Sequence, residues 1–143
     1  MKVNLFLGLS ILFIGLIFAG CAAGKSTEKG TVVGTTNLYG YIDVTPQEAR
    51  SLMEQNKDMV IIDVSGGYAL GHLPGAVSYY LGDGSLEKAI PTLDKEKTYL
   101  VYCHSDSASI AGARMLLNAG FSHVYRLKGN YQAWVDAGYP IEK

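Results

Sequence analysis

Apolar positions along the chain fall into two regimes. Val3 to Phe18 is one nearly unbroken apolar run, interrupted only by Asn4, Gly8, Ser10 and Gly15. Beyond it, short apolar blocks alternate with mixed ones. Met59-Val60-Ile61-Ile62-Asp63-Val64 and Tyr99-Leu100-Val101-Tyr102 are continuous enough to predict strands covered on both faces, as in a parallel sheet. Tyr39 to Val44, Ala76 to Tyr80 and His123 to Leu127 predict three further strands. Between them the period changes. Thr45-Pro46-Gln47-Glu48 is a helix start, with Thr as N-cap, Pro in the first turn and Glu placed to close a capping box; Ala49, Leu52 and Met53 then share a face as far as Asn56. Leu86 to Leu93, Ser109 to Asn118 (with Ile110, Ala113, Leu116 and Leu117 in helical register) and Tyr131 to Ala137 around Trp134 predict the other helices. Gly66, Gly67, Gly71, Pro74 and Gly75 make residues 65–75 a loop. Strands alternating with helices predict an α/β domain on a mainly parallel sheet, whose ligands bind at the carboxyl ends of the strands.

The N-terminal run has a different character. Lys2 precedes it, and Ala19-Gly20-Cys21 follows it. Roughly 16 apolar residues fall short of the ~20 that span a bilayer. The pattern resembles a bacterial lipoprotein signal, which implies that Cys21 is lipidated and becomes the mature N-terminus. Gly24 to Thr36 is rich in Gly, Ser, Thr and Lys without apolar period, and reads as a flexible tether. The expected organisation is a signal peptide over 1–20, a lipidated Cys and tether over 21–36, and one folded domain over 37–143. The expected location is the cell envelope, anchored to a membrane through the lipid alone and facing away from the cytoplasm.

Composition narrows the field. A chain of 143 residues with net charge −1 is neither a strongly basic nucleic-acid binder nor an acidic disordered protein. Loss of residues 1–20 removes Lys2 only, leaving eleven basic against thirteen acidic side chains, a net −2. Two Cys cannot staple a small secreted scaffold, and if Cys21 is acylated, Cys103 has no partner within the chain.

Cys103 carries the candidate chemistry. It directly follows the strand 99–102 and is separated from the helix at 109 by His104-Ser105-Asp106-Ser107-Ala108-Ser109. That places a thiol at the carboxyl edge of the sheet, before a helix N-terminus, where backbone amides stabilise a thiolate. A free Cys can also be a small core residue, but its polar flank is unlike a core. His104 could assist proton transfer, although neighbouring loop residues usually point apart. Asp63 ends a buried strand at the same edge and reads chiefly as a structural hydrogen-bond acceptor. His72 reads as a fixture of the 65–75 loop. His72, His104, His123 and Cys103 lack zinc-ligand spacing, and no metal or cofactor is expected.

Taken with Asp63-Val64, Gly71-His72-Leu73-Pro74-Gly75-Ala76, Ala113, Asn118-Ala119-Gly120-Phe121, Val124-Tyr125, Leu127, Gly129 and Ala133-Trp134, this cysteine and its loop resemble a rhodanese domain over 39–142. The resemblance implies a five-stranded, mainly parallel sheet with helices on both faces. It also implies a catalytic Cys103 that carries sulfane sulfur as a persulfide, taking it from a small sulfur-containing anion or a persulfide and passing it to a thiol or protein acceptor. Four positions depart from the family pattern, which runs C-x-x-G-x-R-S in the loop, Gly-Gly further on and Asp-Val-Arg upstream. Asp106 stands for the Gly, Ala108 for the Arg, and Asn130 for the second Gly; Ser65 also replaces the Arg after Asp-Val. The lost Arg removes a bidentate anion partner. Asp106 is expected to bring its carboxylate to about 6 Å from the sulfur, where negative charge disfavours thiolate and anionic donors alike. Serines 105, 107 and 109 are expected to help the amides cradle the donor.

Two other readings stand beside the sulfurtransferase. One is a catalytically silent module that binds a partner or senses sulfur or redox state, supported by Asp106 and Ala108. The other, a cysteine phosphatase or arsenate reductase, needs Cys-x5-Arg to hold a tetrahedral oxyanion. Position 109 is Ser, which excludes it.

Overall fold

The computed structural model describes residues 34–143. The apolar run, Cys21 and most of the tether lie outside the described residues. The six strands are β1 (Thr35–Thr36), β2 (Ile42–Val44), β3 (Val60–Asp63), β4 (Val77–Ser78), β5 (Tyr99–Tyr102) and β6 (Val124–Leu127). The helices are α1 (Pro46–Gln55), α2 (Ser85–Ala89), α3 (Asp106–Asn118) and α4 (Asn130–Asp136). The sheet runs β1-β2-β6-β5-β3-β4. Every pairing is parallel except β1 with β2.

Five parallel strands with helices on both faces are as the pattern predicts; the sixth is a correction. Thr35–Thr36, expected in the tether, pairs antiparallel with Asp43 and Ile42, so the ordered domain begins before residue 37. The tether's composition hides this, because a two-residue edge strand needs no apolar side chain, only its backbone hydrogen bonds. The strand expected from Tyr39 shortens to Ile42–Val44, since residues 37–40 form the β1–β2 turn, closed by Gly40 N–H to the Asn37 carbonyl at 3.1 Å. The helix expected over 86–93 ends at Ala89 and continues as a tight turn through Pro91, which has no N–H to extend the ladder.

The two faces of the sheet carry separate cores. On one, α2 and α3 cover Ile62, Val64, Tyr99, Val101 and Val124 through Leu86, Ala113 and Leu116. On the other, α1 and α4 cover Val44, Ile61, Leu100, Tyr102 and Leu127 through Ala49, Leu52 and Trp134. Alternate β5 residues therefore face opposite helices, and all four are buried, which explains why this strand reads as a continuous apolar run. Trp134 is 1% exposed and donates its indole N–H to the Pro140 carbonyl at 2.8 Å.

Candidate active site

Cys103 leaves the end of β5 and lies at the carboxyl edge of the sheet, two residues before the N-cap of α3, as the sequence predicts. Two contacts to the start of α4 fix its backbone. The Cys103 N–H donates to Asn130 Oδ1 at 3.2 Å, and the Cys103 carbonyl accepts the Tyr131 N–H at 3.0 Å. Its side chain is 5% exposed, with Ser105 Oγ 3.9 Å from the sulfur.

Helix α3 begins at Asp106, three residues earlier than the apolar period suggested. Its N-cap is Ser105, with extended φ −141° and ψ 148°. The first amide to find an acceptor in this turn is that of Ser109, which donates to the Ser105 carbonyl at 3.3 Å. The amides just before it are the ones a helix N-terminus leaves without intrahelical partners. They lie three to five residues beyond Cys103 and carry the positive end of the helix dipole. The stretch expected as a six-residue loop is thus a short loop, His104 and Ser105, followed by the first turn of α3.

The candidate side chains separate. Ser105 stands near the sulfur. Ser107 is exposed. Ala108 packs toward the α3-side core. Ser109 is fully buried and does not reach the cradle: its Oγ donates to the Asp106 carbonyl at 3.1 Å and accepts from Arg126 at 3.3 Å. His104 is exposed and stacks flat on Tyr131, with ring centroids 4.5 Å apart and planes at 4°. Gly67 sits against this pair, where an added Cβ would lie 3.0 Å from His104 Cε1. The His104 ring thus belongs to the rim.

Asp106 is the main correction. From sequence its carboxylate is expected near the sulfur as a repelling charge that opposes the loop amides. In the fold its Oδ1 accepts from Arg126 Nη1 at 2.8 Å and from Asn130 Nδ2 at 2.8 Å. Arg126 was not anticipated. It is 6% exposed, and its Nε also donates to Asp43 Oδ1 at 2.6 Å. Burial works against its charge, and the hydrogen bonds it donates to Asp43 and Asp106 more than offset this, holding its pKa above the usual arginine value. The available signal was an Arg inside the apolar strand Val124-Tyr125-Arg126-Leu127, since a charge buried in a sheet needs a partner.

The supporting residues behave as structural parts. Asp63 is fully buried at the end of β3, and its Oδ1 accepts the Ser65 N–H at 2.8 Å. Tyr102 is its register partner on β5. Burial pushes the Tyr102 phenol above the usual tyrosine range, and the neighbouring Asp63 adds to this. The Tyr102 hydroxyl in turn accepts the Leu73 N–H at 3.0 Å, pinning the 65–75 loop. His72 holds the same loop. It stacks on Tyr68 at 3.8 Å, its Nδ1 lies 3.1 Å from the Tyr68 carbonyl, and its backbone pairs with Glu142.

A mainly parallel α/β sheet with helices on both faces, and among the described residues a single thiol, at the carboxyl edge of the sheet, defines the class of domain. The rhodanese-like domain model matches residues 45–137, well over half of the chain, and the chain belongs to that family. The thiosulfate sulfurtransferase GlpE of Pseudomonas fluorescens is similar, with 33% identity over 99 residues, 69% of this chain and 88% of that one. GlpE of Glaesserella parasuis is 30% identical over 102 residues, 71% of this chain and 94% of that one. Among solved structures, the rhodanese-like domain of the Anabaena Alr3790 protein superposes with a TM-score of 0.62 at 30% identity, covering 70% of this chain and 77% of that one.

Proposed function

We propose that this protein is a sulfurtransferase in which Cys103 carries the sulfur. The observation that carries the reading is the placement of the thiol two residues before the N-cap of α3, whose first-turn amides have no intrahelical partner. In the first step the Cys103 thiolate attacks the outer sulfur of a donor. With thiosulfate, the donor S–S bond breaks, sulfite leaves with the electron pair, and Cys103 becomes a persulfide. In the second step a thiolate or cyanide attacks the outer sulfur of that persulfide and restores the Cys103 thiolate. The turn's amides hold negative charge on the persulfide and on the donor group. The two similar GlpE proteins, named as thiosulfate sulfurtransferases, support this donor class. Mass spectrometry after treatment of the domain with thiosulfate should show one added sulfur on Cys103, removed by cyanide as thiocyanate; a Cys103→Ser protein with full turnover would overturn the mechanism.

The Asp106 and Ala108 substitutions favour a second reading, a silent module that binds a partner or senses sulfur. Absence of sulfur loading from every donor would select it. We also propose that the chain is an envelope lipoprotein anchored through Cys21, on the strength of Ala19-Gly20-Cys21 after an apolar run. Metabolic labelling with a palmitate analogue should tag the full chain and leave Cys21→Ser untagged; a tagged Cys21→Ser protein would refute the anchor.

A further inference from the structure

Two of the departures from the family pattern, far apart in sequence, are bonded to each other. Asn130 occupies a position where the pattern has Gly, and it keeps the left-handed backbone that Gly would take, with φ +58°. It is the one non-Gly residue with positive φ among the described residues. Such a conformation is sustained for a side chain only when surrounding contacts hold it. The contacts here are the Cys103 N–H on Oδ1 and the Asp106 carboxylate on Nδ2. Asp106, the second departure, passes the connection to Arg126 Nη1 through the same oxygen. Arg126 is anchored in β6 by Asp43 from β2 and reaches Ser109 on α3.

The third departure, Ala108, removes the guanidinium that the pattern places inside the loop. A guanidinium is still present, supplied from β6 and lying beneath the turn. It is occupied by two carboxylates, so its task is to hold, not to grip a donor. The bonds run from the nucleophile's own N–H through one amide and one carboxylate to a buried cation.

We propose that Asn130, Asp106 and Arg126 form a positioning relay for Cys103, replacing the loop Arg and second Gly of the family pattern. The relay fixes the Cys103 peptide relative to the first turn of α3, which sets where the sulfur stands against the turn's open amides. This rests on Cys103 being the sulfur carrier. It also reverses the expected sign for Asp106. A carboxylate acting only as a repelling charge would slow sulfur loading, most of all from a dianion. A carboxylate acting as a link speeds loading from every donor.

The test is single-turnover loading of Cys103 by thiosulfate and by the singly charged methanethiosulfonate, per folded and titratable thiol. Asn130→Gly suits the positive φ, so it removes the link without straining the backbone. Asn130→Gly and Asp106→Ala should each slow loading about ten-fold with both donors, because a misplaced reacting group costs rate whatever the donor's charge. The double variant should be no slower than either single one, because both cut the same path. Asp106→Asn keeps the accepting oxygen and should recover most of the rate. Arg126→Lys, which replaces the rigid fork that holds Asp43 and Asp106 through separate nitrogens by a single ammonium, should resemble Asp106→Ala. A merely structural role would lower the melting temperature and leave the loading rate of the folded fraction unmoved, and that outcome overturns the relay. Faster thiosulfate loading by Asp106→Ala overturns it in favour of charge repulsion. If the unaltered protein loads no sulfur at all, the sulfurtransferase reading falls, and hydrogen exchange judges the relay alone. Exchange at the Cys103 amide should be at least several-fold faster in Asn130→Gly, with the β5 amides unchanged; an unchanged Cys103 amide overturns the relay.

Discussion

Tyr102 shows how one side chain can serve both the core and the loop that borders the site. Its ring is fully buried in the core on the α1 and α4 face of the sheet, while its hydroxyl accepts the Leu73 N–H. Burial is the main reason that Tyr102, Tyr99 and Tyr41 all hold their protons more tightly than free tyrosine. The consequence is a pH dependence with a definite sign. Below the ordinary tyrosine pKa of 10.0 both folded and unfolded chains are protonated and nothing changes. Above it the unfolded chain releases these protons and the fold does not, so stability falls as pH rises, at about 1.4 kcal/mol per pH unit for each retained proton. Urea unfolding between pH 9 and 11 should show this decline, and Tyr102→Phe should reduce the slope by one proton. An unchanged slope would mean that Tyr102 titrates in the fold as it does in the unfolded chain. Tyr102→Phe should also cost about 1–3 kcal/mol at neutral pH by orphaning the buried Leu73 N–H. At this scale the sequence was informative about Cys103, because strand, thiol and polar loop follow one another along the chain. It was silent about the carboxylate partners of Arg126, which lie 20 and 83 residues away. No local pattern encodes a contact of that separation.

Elements were legible where a stop or start signal is chemical. The capping box predicted for α1 is present in full: Thr45 Oγ1 accepts the Glu48 N–H at 3.3 Å, and Glu48 Oε2 accepts the Thr45 N–H at 2.7 Å. Thr45→Ala should lower stability by about 1 kcal/mol, read as a shift in the urea midpoint, with sulfur loading kinetics intact because α1 packs on the face of the sheet opposite α3. An unshifted midpoint would show that packing of Ala49 and Leu52 alone fixes the helix. Where the signal is apolar period only, boundaries slipped. The first turn of α3 is Asp106-Ser107-Ala108, which shows no buried stripe, so the period starts at Ser109 although the helix does not. The same blindness turned Ser109 into a cradle residue when it is in fact inside the protein.

Over the whole molecule, the parallel sheet and its two-sided cover follow from the runs at β3 and β5, which could be satisfied only by burial on both faces. The missing piece was at the edge. β1 protects the free side of β2 through the pairs Thr35↔Asp43 and Thr36↔Ile42. A domain cut at Asn37 leaves β2 as an uncovered edge next to the Asp43–Arg126 ion pair. Such a protein should be less stable than one beginning at Gly34 by on the order of 1 kcal/mol, and more prone to associate through the open strand. Chemical denaturation and light scattering of the two lengths would measure this; equal stability would show that the antiparallel pair is ornamental.

The other end of the chain is fastened too. Glu142 and His72 exchange backbone hydrogen bonds of 2.9 Å in both directions, and Glu142 Oε2 accepts the Gly75 N–H at 3.0 Å. The residues at the carboxyl end are thus a latch on the loop whose Gly67 abuts His104 at the rim. Anything that tugs on Glu142, such as a bulky reporter fused beyond Lys143, acts through very few bonds on the loop that borders His104. Labels and immobilising surfaces therefore belong on the exposed outer side of α3, away from that latch.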